Sequence, residues 1–135
     1  LTWASDIGAY FVGRAFGRRK LIPGVSPGKT VEGALGGLVL TVVVAWVYVL
    51  FVLRPYAQLS LTTGGIVLLG VLVSVAAQVG DLAESLFKRE AGVKDSSTLI
   101  PGHGGVLDRV DSLLFVLPVA YLLLDRFRLL VPVPR

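Results

Sequence analysis

ALGGLVLTVVVAWVYVLFVL, residues 34–53, decides the architecture. These twenty positions carry no charge. At 1.5 Å per helical residue they span about 30 Å, the thickness of a bilayer's hydrocarbon core. Arg54, Pro55 and Tyr56 end the run, and a short turn is expected over 55–62. Trp46 and Tyr48 read as lipid-facing or interfacial side chains.

Working outward, residues 63–80 form a second apolar run that continues through Gly80 into Asp81 and Glu84, so its helix should leave the bilayer at about Lys88. A third span is expected from near Asp108 to Asp125. Only residues 112–124 of it are free of charge, so either Asp111 or Asp125 enters the apolar zone or the helix is partial, and Pro118 should kink it. Residues 1–17 read as a helix with Gly8, Gly13 and Gly17 spaced for close helix contact. Hydrophobic residues make up 54% of the 135 positions and the mean hydropathy is +0.78, too apolar for an ordinary soluble domain. The expected fold is all-α: a polytopic membrane bundle of about four spanning or membrane-embedded helices, forming one domain over 1–135.

The chemistry concentrates between the last two spans, in SLFKREAGVKDSSTLIPGHGGVLDRVD, residues 85–111. Asp81, Glu84, Ser85 and Lys88 share one helix face by their i, i+3, i+4, i+7 spacing. Asp108 and Asp111 share another if a helix starts there. Between them lie Lys94, Asp95 and the turn Pro101-Gly102-His103-Gly104-Gly105, whose glycines allow backbone N–H groups to approach an anion. With no cysteine, a thiolate metal site is excluded, leaving oxygen ligands or the single histidine. Carboxylates facing each other among cations suit a divalent ion that bridges phosphates. Acids at helix ends also serve as caps or as partners for Lys88, Arg89 and Arg109, and that reading stays open. So does a plain hydrogen-bonding role for His103.

A second polar stretch, residues 18–30, is basic and broken by two prolines and two glycines. Its Gly28-Lys29-Thr30 invites a phosphate-loop reading, which fails because Pro23 stands where that motif needs glycine. Ser26, Lys29 and Thr30 can still meet phosphate where a loop opens a helix. Equally, Ser26 or Thr30 can be a helix N-cap with Glu32 in the first turn. Asp6 and Tyr10 share a face and would look into the site, unless Asp6 pairs with Arg14 or caps its helix. Gln78 is expected to hydrogen-bond within the bundle.

The run Ser85-x-x-Lys88-Arg89, Lys94-Asp95, Pro101-x-His103-Gly104-Gly105-x-x-Asp108-Arg109-x-Asp111 resembles the signature of the phosphatidate cytidylyltransferase, or CDP-diacylglycerol synthase, family. Asp6-x-x-Ala9-Tyr10-x-x-Gly13-x-x-x-Gly17 and Ser26-Pro27-x-Lys29-Thr30-x-Glu32-Gly33 resemble its other recurring stretch. The resemblance implies transfer of a cytidylyl group from CTP to phosphatidic acid, giving CDP-diacylglycerol and pyrophosphate. It implies Mg²⁺ held by Asp81 and Asp108, with Asp111 and Glu84 as further candidates, and a monovalent cation as a candidate second ion. It assigns catalysis to Asp81, Asp108, Lys88, Arg89, His103 and Arg109. Ser26, Lys29, Thr30, Ser85, Lys94, Asp95, Gly104 and Gly105 would bind substrate.

Family members are about twice as long by this resemblance, and the sequence contains no Met, so this is expected to be the C-terminal half of a longer protein, with a homodimer as a candidate assembly. The net charge of +4 lies between spans rather than along a soluble face, which points to lipid and nucleotide phosphates and away from nucleic acid. Five basic residues in 14–29 and four in 88–109, against Arg54 alone between them, imply that both motif loops are cytoplasmic; a bacterial inner membrane is the expected location. The alternative is a non-catalytic anionic-lipid-binding protein or a transporter fragment.

Overall fold

The computed structural model describes residues 1–93, 107–126 and 130–132, and the side chains of residues 1–93 and 111–125. Four helices carry most of it. Helix α1 is Thr2–Phe16, α2 is Val31–Tyr48 with π-type turns continuing over Val49–Ala57, α3 is Thr63–Glu90, and α4 is Leu107–Tyr121 with similar turns over Leu122–Arg126. Two are long and apolar enough to cross a membrane: Val31–Ala57, 27 residues, and Thr63–Glu90, 28 residues.

The outward and inward faces of α2 follow one rule. Gly33, Gly37, Thr41, Ala45 and Val49, each four residues apart, are buried. Leu35, Val39, Val43, Val47 and Phe51, at the same spacing, are exposed, Leu35 at 60% and Phe51 at 69%. Small residues inside and bulky apolar ones outside invert the pattern of a soluble helix, and a hydrocarbon surround suits that outer face. Helix α3 repeats it, with Gly70, Val73, Ser74, Ala77 and Gly80 inward and Leu68, Leu72, Val75 and Val79 outward. The chain thus reads as a membrane protein.

Small inward residues let backbones touch. A Cβ at Gly37 would stand 2.6 Å from the Ser5 carbonyl oxygen of α1. At Gly80 it would stand 2.9 Å from Phe115 Cδ2 and 3.1 Å from Ser112 Cα, so α4 lies directly on α3 there. Across the buried interface of α1 and α3, Ser5 Oγ and Ser74 Oγ share a hydrogen bond of 3.0 Å. Ala45, Val49, Ile66, Leu69, Val73, Ala77, Val116 and Leu123 fill the core toward the other end.

The structure is mostly helical, as expected, and adds two short strand pairs. The basic stretch is a hairpin of β1, Lys20–Ile22, and β2, Ser26–Thr30, rather than an irregular loop. At the opposite end β3, Leu59–Leu61, pairs antiparallel with β4, Leu130–Pro132. The turn expected over 55–62 starts later. The π-type turns carry the chain past Pro55, which has no N–H to lose, and Gln58 breaks the helix in the left-handed region at φ 54°. Helix α3 ends at Glu90, and Gly92, φ +68°, turns the chain away beyond it, where the amides of Gly92 and Val93 reach the Arg89 and Lys88 carbonyls, satisfying groups the helix leaves open.

These contacts predict a paired outcome. Gly37→Val should destabilise the bundle by about 1–3 kcal/mol, the usual cost of overpacking, because the Ser5 backbone must retreat. Gly64→Ala, whose added Cβ meets nothing within 4 Å, should be neutral or stabilising. Thermal unfolding of both variants in detergent checks this.

Candidate active site

The hairpin hangs over the end of the bundle at which α1 ends and α2 begins. Thr30 caps α2 by accepting from the Gly33 amide at 3.1 Å, so the cap and the last strand residue are one. The Val31 amide reaches the Arg19 carbonyl at 2.9 Å. Glu32 Oε2 accepts from the Arg18 amide at 3.1 Å and the Arg19 amide at 3.2 Å. A carboxylate in the first turn of α2 therefore fastens the base of the hairpin. From the other side, Arg89 Nε on α3 reaches the Val25 carbonyl in its turn at 3.5 Å.

Beneath the hairpin lies a cavity of about 430 Å³ walled by α1, β2, α2 and α3. Asp6 and Tyr10 enter it from α1, Ser26, Lys29 and Thr30 from the hairpin, and Gln78 and Asp81 from α3. Lys29 Nζ forms an ion pair with Asp81 Oδ2, joining hairpin to α3. Asp6 lies within electrostatic range of Asp81, Asp111 and Lys29. Of these acids, Asp81 is the one paired with the ammonium. Asp6 is neither of the bland alternatives: the N-cap of α1 is Leu1, and Arg14 donates to the Tyr10 hydroxyl at 2.8 Å.

The other sequence candidates are placed as follows. Ser85 is half-buried one turn beyond Asp81. Glu84 is buried and bonded to Lys88 Nζ at 3.1 Å along α3. Asp111 Oδ1 accepts from the Ser112 amide at 2.6 Å. Asp108 and Arg109 belong to the first turn of α4, but their side chains lie outside the described set. Lys94, Asp95, His103, Gly104 and Gly105 lie outside the described residues. Among the described residues no group of three His, Asp or Glu side chains is close enough to hold a metal ion as it stands. The donor chemistry nonetheless suits Mg²⁺, since Asp6, Asp81 and Asp111 offer only hard oxygens.

A profile of the cytidylyltransferase family matches residues 1–127. The chain belongs to that family. It is 55% identical over 118 residues to the phosphatidate cytidylyltransferase of Haemophilus influenzae, covering 87% of this chain and 41% of that protein. With the Bacillus subtilis protein of the same name, identity is 50% over 125 residues, covering 93% and 45%. With that of Pseudomonas aeruginosa it is 53% over 119 residues, covering 88% and 42%. The chain spans less than half the length of these relatives.

Two contacts around the cavity were not evident in the sequence. Glu32 stands there as a first-turn acid within a family-like stretch, and its hold on the hairpin was hidden because its partners are amides 13 and 14 residues upstream. Gln78 reads as a bundle hydrogen bonder, which it is, yet it also lines the cavity. Replacing Glu32 with Ala should speed amide hydrogen exchange several-fold at Arg18 and Arg19 while leaving the exchange of α3 unchanged. Exchange measured by mass spectrometry across residues 17–30 and 66–80 checks this.

Proposed function

We propose that this chain carries the nucleotide site of an enzyme that transfers a cytidylyl group from CTP to phosphatidic acid, releasing pyrophosphate. The observation that carries the reading is the cavity itself. A lysine, three hydroxyl residues and two carboxylates converge there at the end of two apolar helices, on a chain whose relatives bear that activity in their names. The positive-inside bias puts this end in the cytoplasm, where CTP is available, in a bacterial inner membrane. The lipid tails remain in the bilayer and its phosphate meets the nucleotide at the surface.

In the transfer, an oxygen of the lipid phosphate forms a bond to the α-phosphorus of CTP while the bond from that phosphorus to the pyrophosphate oxygen breaks. The attacking oxygen is anionic at neutral pH, so no strong base is required, and the site's task is alignment and charge neutralisation. Lys29 and Ser26 bind phosphate oxygens. Lys88, Arg89, Arg109 and Lys94 supply further cations, with Arg as a planar fork and Lys as a point charge. His103 donates toward the departing pyrophosphate, and Asp95, Gly104 and Gly105 shape the loop around it. Asp81, Asp108 and Asp111 would hold Mg²⁺, with Glu84 beside them. Bound there, the ion would draw electron density from the phosphate oxygens. Support for this grouping comes from Gly80, where the backbone of Ser112 in α4 touches α3 immediately before Asp81.

Lys29 exchanges partners on this reading. In the free site it neutralises Asp81, and an incoming triphosphate offers it a stronger anion; Asp81 would then be free to hold a divalent ion.

Asp81→Asn and Asp108→Asn should each lower pyrophosphate release from CTP by at least about 100-fold, the scale of losing an electrostatic anchor, with membrane insertion unchanged. The assay is pyrophosphate release from each nucleoside triphosphate, with and without phosphatidate and Mg²⁺. Full activity in either variant would remove the metal assignment. Mg²⁺-independent lipid binding without pyrophosphate release from the unaltered protein would replace the enzyme with an anionic-lipid binder.

A further inference from the structure

Gln78 stands in the apolar zone of α3, and polar side chains at that depth are costly unless partnered or used. Its amide is oriented by the bundle. Nε2 donates to the Ala34 carbonyl of α2 at 3.1 Å, a group that can only accept, so nitrogen and oxygen cannot be exchanged. The second N–H goes to Ser74 Oγ at 3.0 Å, and Ser74 is tied at 3.0 Å to Ser5 on α1. Three helices thus fix one amide and consume both its donors. Its remaining polar atom, Oε1, has no partner among the described residues, and Gln78 forms part of the cavity wall.

An acceptor held in this way calls for an N–H or O–H on the ligand. Fully esterified lipid tails offer none, and ionised phosphates only accept. The nucleoside is the donor-bearing part of the substrate pair. Gln78 precedes Asp81 by three residues, a rise of about 4.5 Å along α3, so the donor must lie close to the phosphates. The ribose hydroxyls satisfy that; the amine of the base is at the nucleoside's far end. We propose that Gln78 Oε1 accepts a hydrogen bond from a ribose hydroxyl of the bound nucleotide, making it a specificity-determining residue for the sugar. The inference rests on the nucleotide reading of the cavity given above.

The test compares steady-state kinetics of the unaltered protein and Gln78→Leu, reconstituted with phosphatidate, using CTP, 2′-deoxy-CTP, 3′-deoxy-CTP and UTP. With CTP, Gln78→Leu should raise KM about three- to ten-fold, the loss of one neutral hydrogen bond, with kcat nearly unchanged. With the deoxy analogue that lacks the contacted hydroxyl, the two proteins should have equal KM. KM does not depend on how much enzyme is folded, so partial misfolding leaves the comparison valid. Ser74→Ala, which frees one N–H of the amide, should give a smaller rise with the same dependence on analogue. An equal rise with all four nucleotides overturns the proposal, as does a rise abolished only with UTP, which would move the contact to the base. Absence of pyrophosphate release from CTP by the unaltered protein would instead defeat the nucleotide reading itself.

Discussion

Backbone-to-backbone approach is the constraint on which this bundle depends. In hydrocarbon no hydrophobic force drives helices together, since lipid tails are as apolar as leucine, so association comes from fit and from buried polar links. The inward stripe of α2 meets that requirement with glycine, threonine and alanine, and the Ser5–Ser74 bond ties α1 to α3 between them. Loss of that fit would separate the walls of the cavity, because its lining is drawn from α1, β2, α2 and α3 together.

Much of the fold was legible because its spans are simple. Residues 34–53 and 63–80 announce length and apolarity, and α2 and α3 contain them. What composition could not supply was rotation, since α2 is apolar all round. The hairpin was hidden because Ser26-Pro27-Gly28-Lys29-Thr30 lacks the apolar alternation that marks a strand. It exists because Glu32, Val31 and Arg19 close its base. The pairing of Leu59–Leu61 with Leu130–Pro132 joins segments some seventy residues apart, a relation that no local pattern encodes.

The site was legible in proportion to charge. Asp81, Lys29, Ser26, Thr30, Asp6 and Tyr10 were all singled out by residue type and spacing, and the structure gathers them in one cavity. Glu32 and Gln78 were named, but the contacts they make were hidden because those rest on backbone groups of other elements. An acid bonded to two amides and an amide bonded to a carbonyl look, in a sequence, like any surface Glu or helix Gln.

Gly80 and Asp81 are neighbours in the chain, one receiving α4 and the other pairing with Lys29. Architecture and reactivity are therefore interlocked at a single peptide unit. A side chain introduced at position 80 would wedge two helices apart and drag a carboxylate off its mark, so an inactive variant there would mimic a chemical lesion while every reactive group survived. Activity lost by mutation in this part of α3 is informative about chemistry only when the helix spacing is measured alongside it.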